Sequence, residues 1–505
     1  MKLLIANRGE IAVRVIRACR ELGIPTVGVY SDCDRAARHV RDADQAVHLG
    51  PSPAVESYLR IDRLIDAAKV TGADAVHPGY GFLAENAAFA QACADAGLMF
   101  IGPTPNAIEA MGSKTGAREV AIAAGVPVVP GTDAPLGDRA SDDEILREGE
   151  QIGYPLMVKA VAGGGGKGMR EVGSAADLLA AVRTARSEAG SSFGSTAVYF
   201  ERRLLHPRHI EIQLLGDQHG TVVPFVEREC SIQRRHQKVV EESPSLAVTP
   251  ALRERIASAA ARVASAVGYT NAGTIEFLLD QDGSFYFLEM NTRLQVEHPV
   301  TEMVTSEDLV HWQIRIARGE KLTLDPLHAL TPRGHAIECR IYAEDPDLGF
   351  MPSPGLVRAI RPASGPGVRD DSGVTDGYTV PVFYDSMIAK LIAWSGSRLD
   401  AIARMDRALA EYEVLGIKTT IPFFRWLMHQ QDFIQGRFDT TYLDRVLADR
   451  NGESFSSLTE AEEQRIAIAT GLDVWLKSAS PTGQASRQQP AHAWKTIARR
   501  EALGA

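Results

Sequence analysis

Two apolar runs joined by four turn-forming residues constrain this chain more than any other stretch. Gly273-Thr274-Ile275-Glu276-Phe277-Leu278-Leu279-Asp280 and the run that opens Phe285-Tyr286-Phe287-Leu288 flank Gln281-Asp282-Gly283-Ser284. Runs of this kind around such a turn predict an antiparallel hairpin. With Asp280 facing Phe285, the register sets Glu276 directly opposite Glu289. Like charges facing each other in a sheet repel. A divalent cation between them would resolve the repulsion, with Asn291 as a third oxygen donor, because Mg²⁺ sites combine a few carboxylates with water and phosphate oxygens. A proton shared by the pair, or a different register, answers the same pattern.

The second run continues Glu289-Met290-Asn291-Thr292-Arg293-Leu294-Gln295-Val296-Glu297-His298. On an extended strand Glu289, Asn291, Arg293, Gln295 and Glu297 share one face. Water-facing strands alternate in the same way. Three charges and two amides on one face, with no Lys among them, favour a site.

The 505 residues predict two to four domains. A net charge of −10 argues against nucleic-acid binding, which needs a basic footprint, and against anionic membranes. Cys19, Cys33, Cys93, Cys230 and Cys339 are scattered without a C-x-x-C pair, which fits a reducing compartment rather than a zinc site or disulfide framework. The apolar run at the N-terminus is too short for a signal peptide, and no stretch of about 18 apolar residues predicts a membrane span. A cytoplasmic protein is expected.

The first hundred residues alternate strand and helix. Lys2 to Ala6, Thr26 to Tyr30, Ala73 to His77 and Leu98 to Ile101 read as strands; helices are expected at Glu10 to Leu22, Leu59 to Thr71 and Ala87 to Ala96. This is an open parallel sheet. Its first turn has only Gly9 and lacks G-x-G-x-x-G, so a dinucleotide site is disfavoured. Further on, Gly163-Gly164-Gly165-Gly166-Lys167-Gly168 lies between two strand-like segments and reads as a flexible hairpin tip. Bare backbone N–H groups there can approach phosphate oxygens. Gly168 stands where a Walker A loop carries Ser or Thr, so this is not that motif. Lys159, on the preceding apolar strand, strengthens the reading of a phosphate lid.

Longer motifs carry a family resemblance: Ala6-Asn7-Arg8-Gly9-Glu10-Ile11-Ala12, His77-Pro78-Gly79-Tyr80-Gly81-Phe82-Leu83-Ala84-Glu85-Asn86, the glycine loop, Glu227 to Lys238, Phe287 to Glu297, and Tyr384-Asp385-Ser386-Met387-Ile388-Ala389-Lys390-Leu391. Together they resemble biotin carboxylase, the ATP-grasp component of biotin-dependent carboxylases, from Lys2 to about Leu447. The resemblance implies an α/β and α+β multidomain fold: an N-terminal open parallel α/β domain at 1–112, an ATP-grasp domain at 113–325 with a mobile glycine-rich lid at about 131–204, and a mixed α+β C-terminal domain at 326–447. Residues 448–505 would form a tail.

The same resemblance implies roles. Lys114, Lys159, Gly165, Gly166, His209, Gln233 and His236 match ATP-contacting positions, and Glu201, Arg202, Arg203 and Leu204 match the adenine hinge. Glu276, Glu289 and Asn291 match ligands of Mg²⁺ or Mn²⁺. Lys238, Arg293, Gln295 and Val296 match bicarbonate contacts, Glu297 the general base, and Arg340 the group that holds the biotin ureido oxygen. Ala162 and Lys167 stand where some relatives have Gly and Arg. The residue types suit the chemistry. An anion attacking an anionic phosphate needs cations on both, and an Arg can grip two bicarbonate oxygens at once. Outside the family pattern, Arg340 reads as a salt-bridge partner of Glu338 or Glu344, Arg234 and Arg235 as surface or ion-pair residues, and Cys230 as a packed thiol.

No methionine is arranged around a Lys in the Ala-Met-Lys-Met-like turn of a biotin acceptor. The expectation is a subunit that carboxylates biotin on a separate biotin carboxyl carrier protein. It would act with a carboxyltransferase subunit, as a homodimer, most simply in an acetyl-CoA carboxylase; propionyl-CoA or pyruvate carboxylase are the alternatives. Another ATP-grasp ligase is opposed by Arg293 to Glu297 and Arg340, and a silent scaffold by the intact charged set. In the tail, Ser457 to Lys477 and Ala491 to Ala502 are expected as helices around a polar linker, as a docking segment or a disordered extension.

Overall fold

The computed structural model describes residues 1–132, 134–137, 140–161, 168–455 and 460–479. The chain divides into two units, Met1–Phe455 and Ser456–Ala505.

The N-terminal sheet is parallel throughout, in the order Gln45–Gly50, Thr26–Ser31, Leu3–Ile5, Ala75–His77, Met99–Phe100. The strand Gln45–Gly50 is an addition to the expected set. Only Leu49 along it is fully buried, so this edge strand lacks the apolar run that marks its neighbours. The helix Gly9–Glu21 buries Ile11, Val15 and Ala18, the face its sequence predicts, and also Ala12, Val13, Ile16 and Cys19, so it is covered on more than that face. At the carboxyl ends of the strands, Asn7 Nδ2 donates to the carbonyls of Pro78 (2.7 Å) and Tyr80 (2.8 Å) and ties two loops together. Gly79 lies at φ +64°, where a Cβ would meet Asn7 Nδ2 at 2.8 Å; only glycine lets these loops approach so closely.

Among the described residues, the central sheet has nine strands. Its order is Phe285–Asn291, Asn271–Leu279, Arg208–Gly216, Arg228–Arg234, Gln237–Ser243, His335–Tyr342, Met387–Ser395, Val368–Ser372, with Val222–Pro224 paired beside Arg208–Gly216. The expected domain limit at 325 and 326 falls between strands of this one continuous sheet. Among the described residues, four core clusters pack against it, including one from the helices Arg398–Glu411 and Ile421–Met428. A separate three-stranded sheet, Met169–Val172, Leu156–Ala160, Val198–Arg202, carries the helices Asp142–Ile152 and Ala175–Phe193. Lys159 pairs with Met169 antiparallel, so the flanks of the glycine loop form the expected hairpin; residues 162–167 lie outside the described residues.

The predicted hairpin forms with Glu276 opposite Glu289, by a route the turn residues alone do not reveal. Leu279, not Asp280, faces Phe285, because Asp280 belongs to the turn and its N–H bonds Ser284 O (2.8 Å). A bulge beyond Phe277 then inserts one residue and restores the pairing of the two glutamates. The strand stops at Asn291; Thr292 and Arg293 form a bend, Leu294 and Gln295 are irregular, and Val296 and Glu297 form a turn. The expected extended strand through Glu297 is therefore corrected.

In the second unit the helix Glu460–Ala479 exposes Ile466, Ile468, Leu472, Val474 and Trp475. Residues 480–505, including the expected helix at Ala491 to Ala502, lie outside the described residues. No helix among the described residues is long and apolar enough to cross a membrane.

Candidate active site

Polar and apolar residues alternate along the buried strand Arg208–Gly216, so His209, Glu211 and Gln213 share one face. The register then sets Glu289, Glu276 and Glu211 side by side across three neighbouring strands, with Arg228 next in the row. Neighbouring strands lie about 4.8 Å apart, so this row concentrates like charge. Two cations offset the charge of Glu211 and Glu276. Arg228, fully buried, pairs with Glu211 and donates to Gln213 Oε1 (3.0 Å), Thr301 Oγ1 (2.9 Å) and Thr274 Oγ1 (3.1 Å). Lys238 Nζ reaches Glu211 (2.6 Å), Glu276 (2.8 Å) and Glu297 (2.7 Å) at once. Burial pushes the Lys238 ammonium down, but the three carboxylates outweigh it and hold it well above the ordinary lysine range.

Glu276 is fully engaged: His209 Nε2 lies 3.0 Å away, and Asn291 and Gln295 amides donate at 2.9 and 3.0 Å. Burial raises its pKa, yet Lys238 and His209 win and hold it far below the usual carboxylate range. An all-oxygen set of Glu276, Glu289 and the Asn291 amide fits a hard divalent cation, and the facing glutamates are the observation that carries the fit.

Beyond the strand end, the chain folds back on the row. Arg293 donates to Asn291 Oδ1 (3.0 Å) and Gln295 Oε1 (3.0 Å), and is anchored by Glu85 (3.0 Å). Glu297, fully buried, lies between Lys238 and Arg340, whose Nη2 is 2.9 Å from its Oε2. Burial pushes the Glu297 carboxyl up, but Lys238, Arg340 and Arg228 hold it well below its ordinary range. The Val296 carbonyl accepts from Lys390 Nζ (2.9 Å). Arg340 bonds Glu241 (2.5 Å) and Glu297, not Glu338 or Glu344, which corrects the simple salt-bridge expectation: Glu241 and Glu297 reach its guanidinium from a neighbouring strand and the loop above. Arg234 pairs with Glu344 (3.5 Å), as an ion-pair residue should. Cys230 is buried, and burial pushes its thiol well up, so it stays protonated and packed.

A cleft of about 410 Å³ opens over this group, lined by Tyr80, Gln237, Arg293, Val296, Arg340 and Tyr342 among others. It joins the loops of the N-terminal sheet to the end of the central one.

The other expected residues fall into two places. Gln233 Nε2 contacts His209 Nδ1 (3.0 Å), so it belongs to the row. Lys159 pairs with Glu201 on the three-stranded sheet, with Arg118 at 3.4 Å. Leu204 is buried, Arg202 meets the Tyr286 hydroxyl (3.2 Å) and Arg203 pairs with Glu171. His236 is exposed in the turn at φ +65°, apart from the charged row. Gly165 and Gly166, and the side chain of Lys114, lie outside the described residues.

Sequence reasoning missed Glu211, Arg228 and Glu241 as site residues. The signal for Glu211 was available: a carboxylate in the alternation His209-Ile210-Glu211-Ile212-Gln213. Glu85 and Lys390 sit inside motifs already singled out.

Residues 113–325 match the ATP-binding domain of the carbamoyl-phosphate synthase L chain, and fold and site together define an ATP-dependent ligase. Residues 1–108 match the biotin carboxylase N-terminal domain and 338–445 its C-terminal domain. The chain is 52% identical over 445 residues to a biotin carboxylase of Nostoc sp., covering 88% of this chain and 99% of that one. It is 51% identical to a pyruvate carboxylase subunit from Methanothermobacter thermautotrophicus, covering 92% and 93%. Among solved structures, a biotin carboxylase from Campylobacter jejuni in a β,γ-ATP complex is similar at a TM-score of 0.84 and 45% identity, covering 88% of this chain and 98% of that chain. A biotin carboxylase domain dimer of Hydrogenobacter thermophilus 2-oxoglutarate carboxylase, with MgADP, ADP and bicarbonate, gives 0.84 and 46% identity, covering 90% and 98%. The chain belongs to the biotin carboxylase family.

Proposed function

We propose that this enzyme uses ATP and bicarbonate to carboxylate biotin on a carrier protein, the first half-reaction of a biotin-dependent carboxylase. The observation that carries the reading is Glu297, buried beneath an open cleft and gripped by Lys238 at 2.7 Å and Arg340 at 2.9 Å. Bicarbonate would enter beside Arg293, Gln295 and Val296. Its anionic oxygens compete for Arg293 and Lys238, and each cation drawn off Glu297 makes that carboxylate a stronger base. Glu297 takes the bicarbonate proton, the freed oxygen attacks the γ-phosphorus, and the bond to ADP breaks. Carboxyphosphate then splits to CO₂ and phosphate. Phosphate removes the N1′ proton of biotin while Arg340 stabilises the developing ureido oxyanion, and N1′ takes up CO₂. Lys159, Lys114 and the glycine loop with Gly165 and Gly166 would hold the nucleotide and exclude water. His209, Gln233, His236 and Glu201 to Leu204 would complete its site. Glu276, Glu289 and Asn291 would hold Mg²⁺ or Mn²⁺, which when bound offsets phosphate charge.

The test is bicarbonate-dependent ADP release with and without free biotin. Stimulation by biotin is expected; an active, metal-supplied enzyme indifferent to biotin would sink the reading. Glu276→Gln and Glu289→Gln should each raise the Mg²⁺ concentration for half-maximal turnover at least about tenfold, the cost of losing even an outer-sphere partner of a metal. An unchanged Mg²⁺ requirement in both would refute the shared-metal role.

The same proposal includes a biotin carboxyl carrier, a carboxyltransferase partner, a homodimer and a cytoplasmic setting. Acetyl-CoA carboxylase is the first holoenzyme to test, against pyruvate and propionyl-CoA as acceptors with the purified transferase. Deleting 456–505 asks whether the tail docks a partner; unchanged partner affinity would refute docking.

A further inference from the structure

Behind Arg340 lies a second pair of facing carboxylates that the reaction scheme does not use. Glu241 and Glu338 are direct cross-strand partners between Gln237–Ser243 and His335–Tyr342, and both are fully buried. Arg340, two residues from Glu338, shares its face and bonds Glu241 Oε1. Both oxygens of Glu338 and the remaining Oε2 of Glu241 accept no hydrogen bond among the described residues.

The cations nearby are committed. Arg340 is divided between Glu241 and Glu297. Lys390, opposite Arg340 on the next strand, donates to the Val296 carbonyl and lies 3.9 Å from Asp371. Tyr80, from the N-terminal sheet, bonds Glu10 instead. Glu297 adds a further negative charge from the loop above. Two facing carboxylates without a cation of their own cannot both stay ionised in such a place. One proton between them would pair two of these three unpartnered oxygens, Glu241 Oε2 and one oxygen of Glu338.

We propose that Glu241 and Glu338 share one proton, and that this carboxyl–carboxylate pair positions Arg340 against Glu297 and the biotin cleft. The inference rests on the proposed function only for the cleft's occupant. With the proton in place, a single negative charge competes with Glu297 for Arg340, and the Glu338 O–H locks the Glu241 carboxylate so that Oε1 stays on the guanidinium. If both were ionised, Arg340 would be drawn towards the pair and away from the substrate. The electrostatics agree: burial, outweighing Lys390 and reinforced by Glu241, pushes Glu338 well above the usual carboxyl range, and burial lifts Glu241 to about 7 despite Arg340.

Infrared difference spectra of the unsubstituted enzyme against Glu338→Gln at neutral pH read the proton directly. A carboxylic-acid C=O band present in the former and missing from the latter is expected; the same band in both overturns the proposal. Glu338→Gln keeps a donor towards Glu241 and should retain biotin-dependent turnover within about threefold, whereas Glu338→Ala should lose about tenfold or more. The alkaline limb of turnover, where the shared proton leaves, should move upward or vanish in Glu338→Gln. Equal loss in both variants, or an unmoved alkaline limb, would leave Glu338 a packing residue only. Should Glu338→Ala fail to fold, the Gln variant still decides. The infrared result is independent of biotin stimulation, so failure of the enzymatic reading and failure of the shared proton are told apart.

Discussion

Glu297→Gln should lower biotin-stimulated ADP release by about 10²–10⁴-fold, the usual contribution of a positioned general base. The amide keeps the volume and one acceptor for Lys238 and Arg340, so the far-ultraviolet circular dichroism should be unchanged. The sign of the pH dependence follows from the cations around the group. Lys238, Arg340 and Arg228 overcome burial and hold Glu297 well below its ordinary range, so it stays ionised as pH falls towards about 4.3, the unperturbed glutamate value. An acid limb of kcat/KM within two units of neutrality therefore does not belong to Glu297 in the free enzyme. Near-full activity in Glu297→Gln, measured with saturating bicarbonate and Mg²⁺, would remove it from the base role.

Arg228→Met should destabilise the fold by about 3–5 kcal/mol, the range for leaving one member of a buried ion pair behind. Arg228 is fully buried and donates to four side chains, Glu211, Gln213, Thr274 and Thr301, from three structural elements. Methionine fills the volume and satisfies none of them. Glu211 then keeps only Lys238, which already serves Glu276 and Glu297. The effect should appear as a lowered urea midpoint together with reduced turnover, because Lys238 would be drawn towards Glu211 and away from the base. A variant as stable as the parent would mean that the row tolerates an unneutralised carboxylate.

Much of this site was legible in the chain because its parts lie close together in sequence. The facing of Glu276 and Glu289 came from a hairpin whose partners are 13 residues apart. Two one-residue offsets, the wider turn and the bulge, cancel to give that facing. The bulge falls at Leu288, beside Phe287, whose N–H bonds the Pro127 carbonyl (2.7 Å) from a distant segment, a partner the hairpin's own residues do not encode. The end of the strand at Asn291 was hidden for the same reason: alternation survives in Arg293, Gln295 and Glu297, but the backbone there turns to bring Arg293 onto Glu85 from the N-terminal sheet.

By itself the sequence determined the parallel N-terminal sheet, the hairpin with its two glutamates, and the motifs that place the chain in its family. These follow from local periodicity and turn chemistry, which act over a few residues. Only the tertiary structure decided that Lys238 would hold three carboxylates, that Arg228 would pair with Glu211 at the end of the row, and that Arg340 would choose Glu241 and Glu297 over Glu338 and Glu344. Each of those choices joins residues between 17 and 99 positions apart. Buried charge takes the partner that sheet order brings within reach, and that order exists only once the strands have assembled.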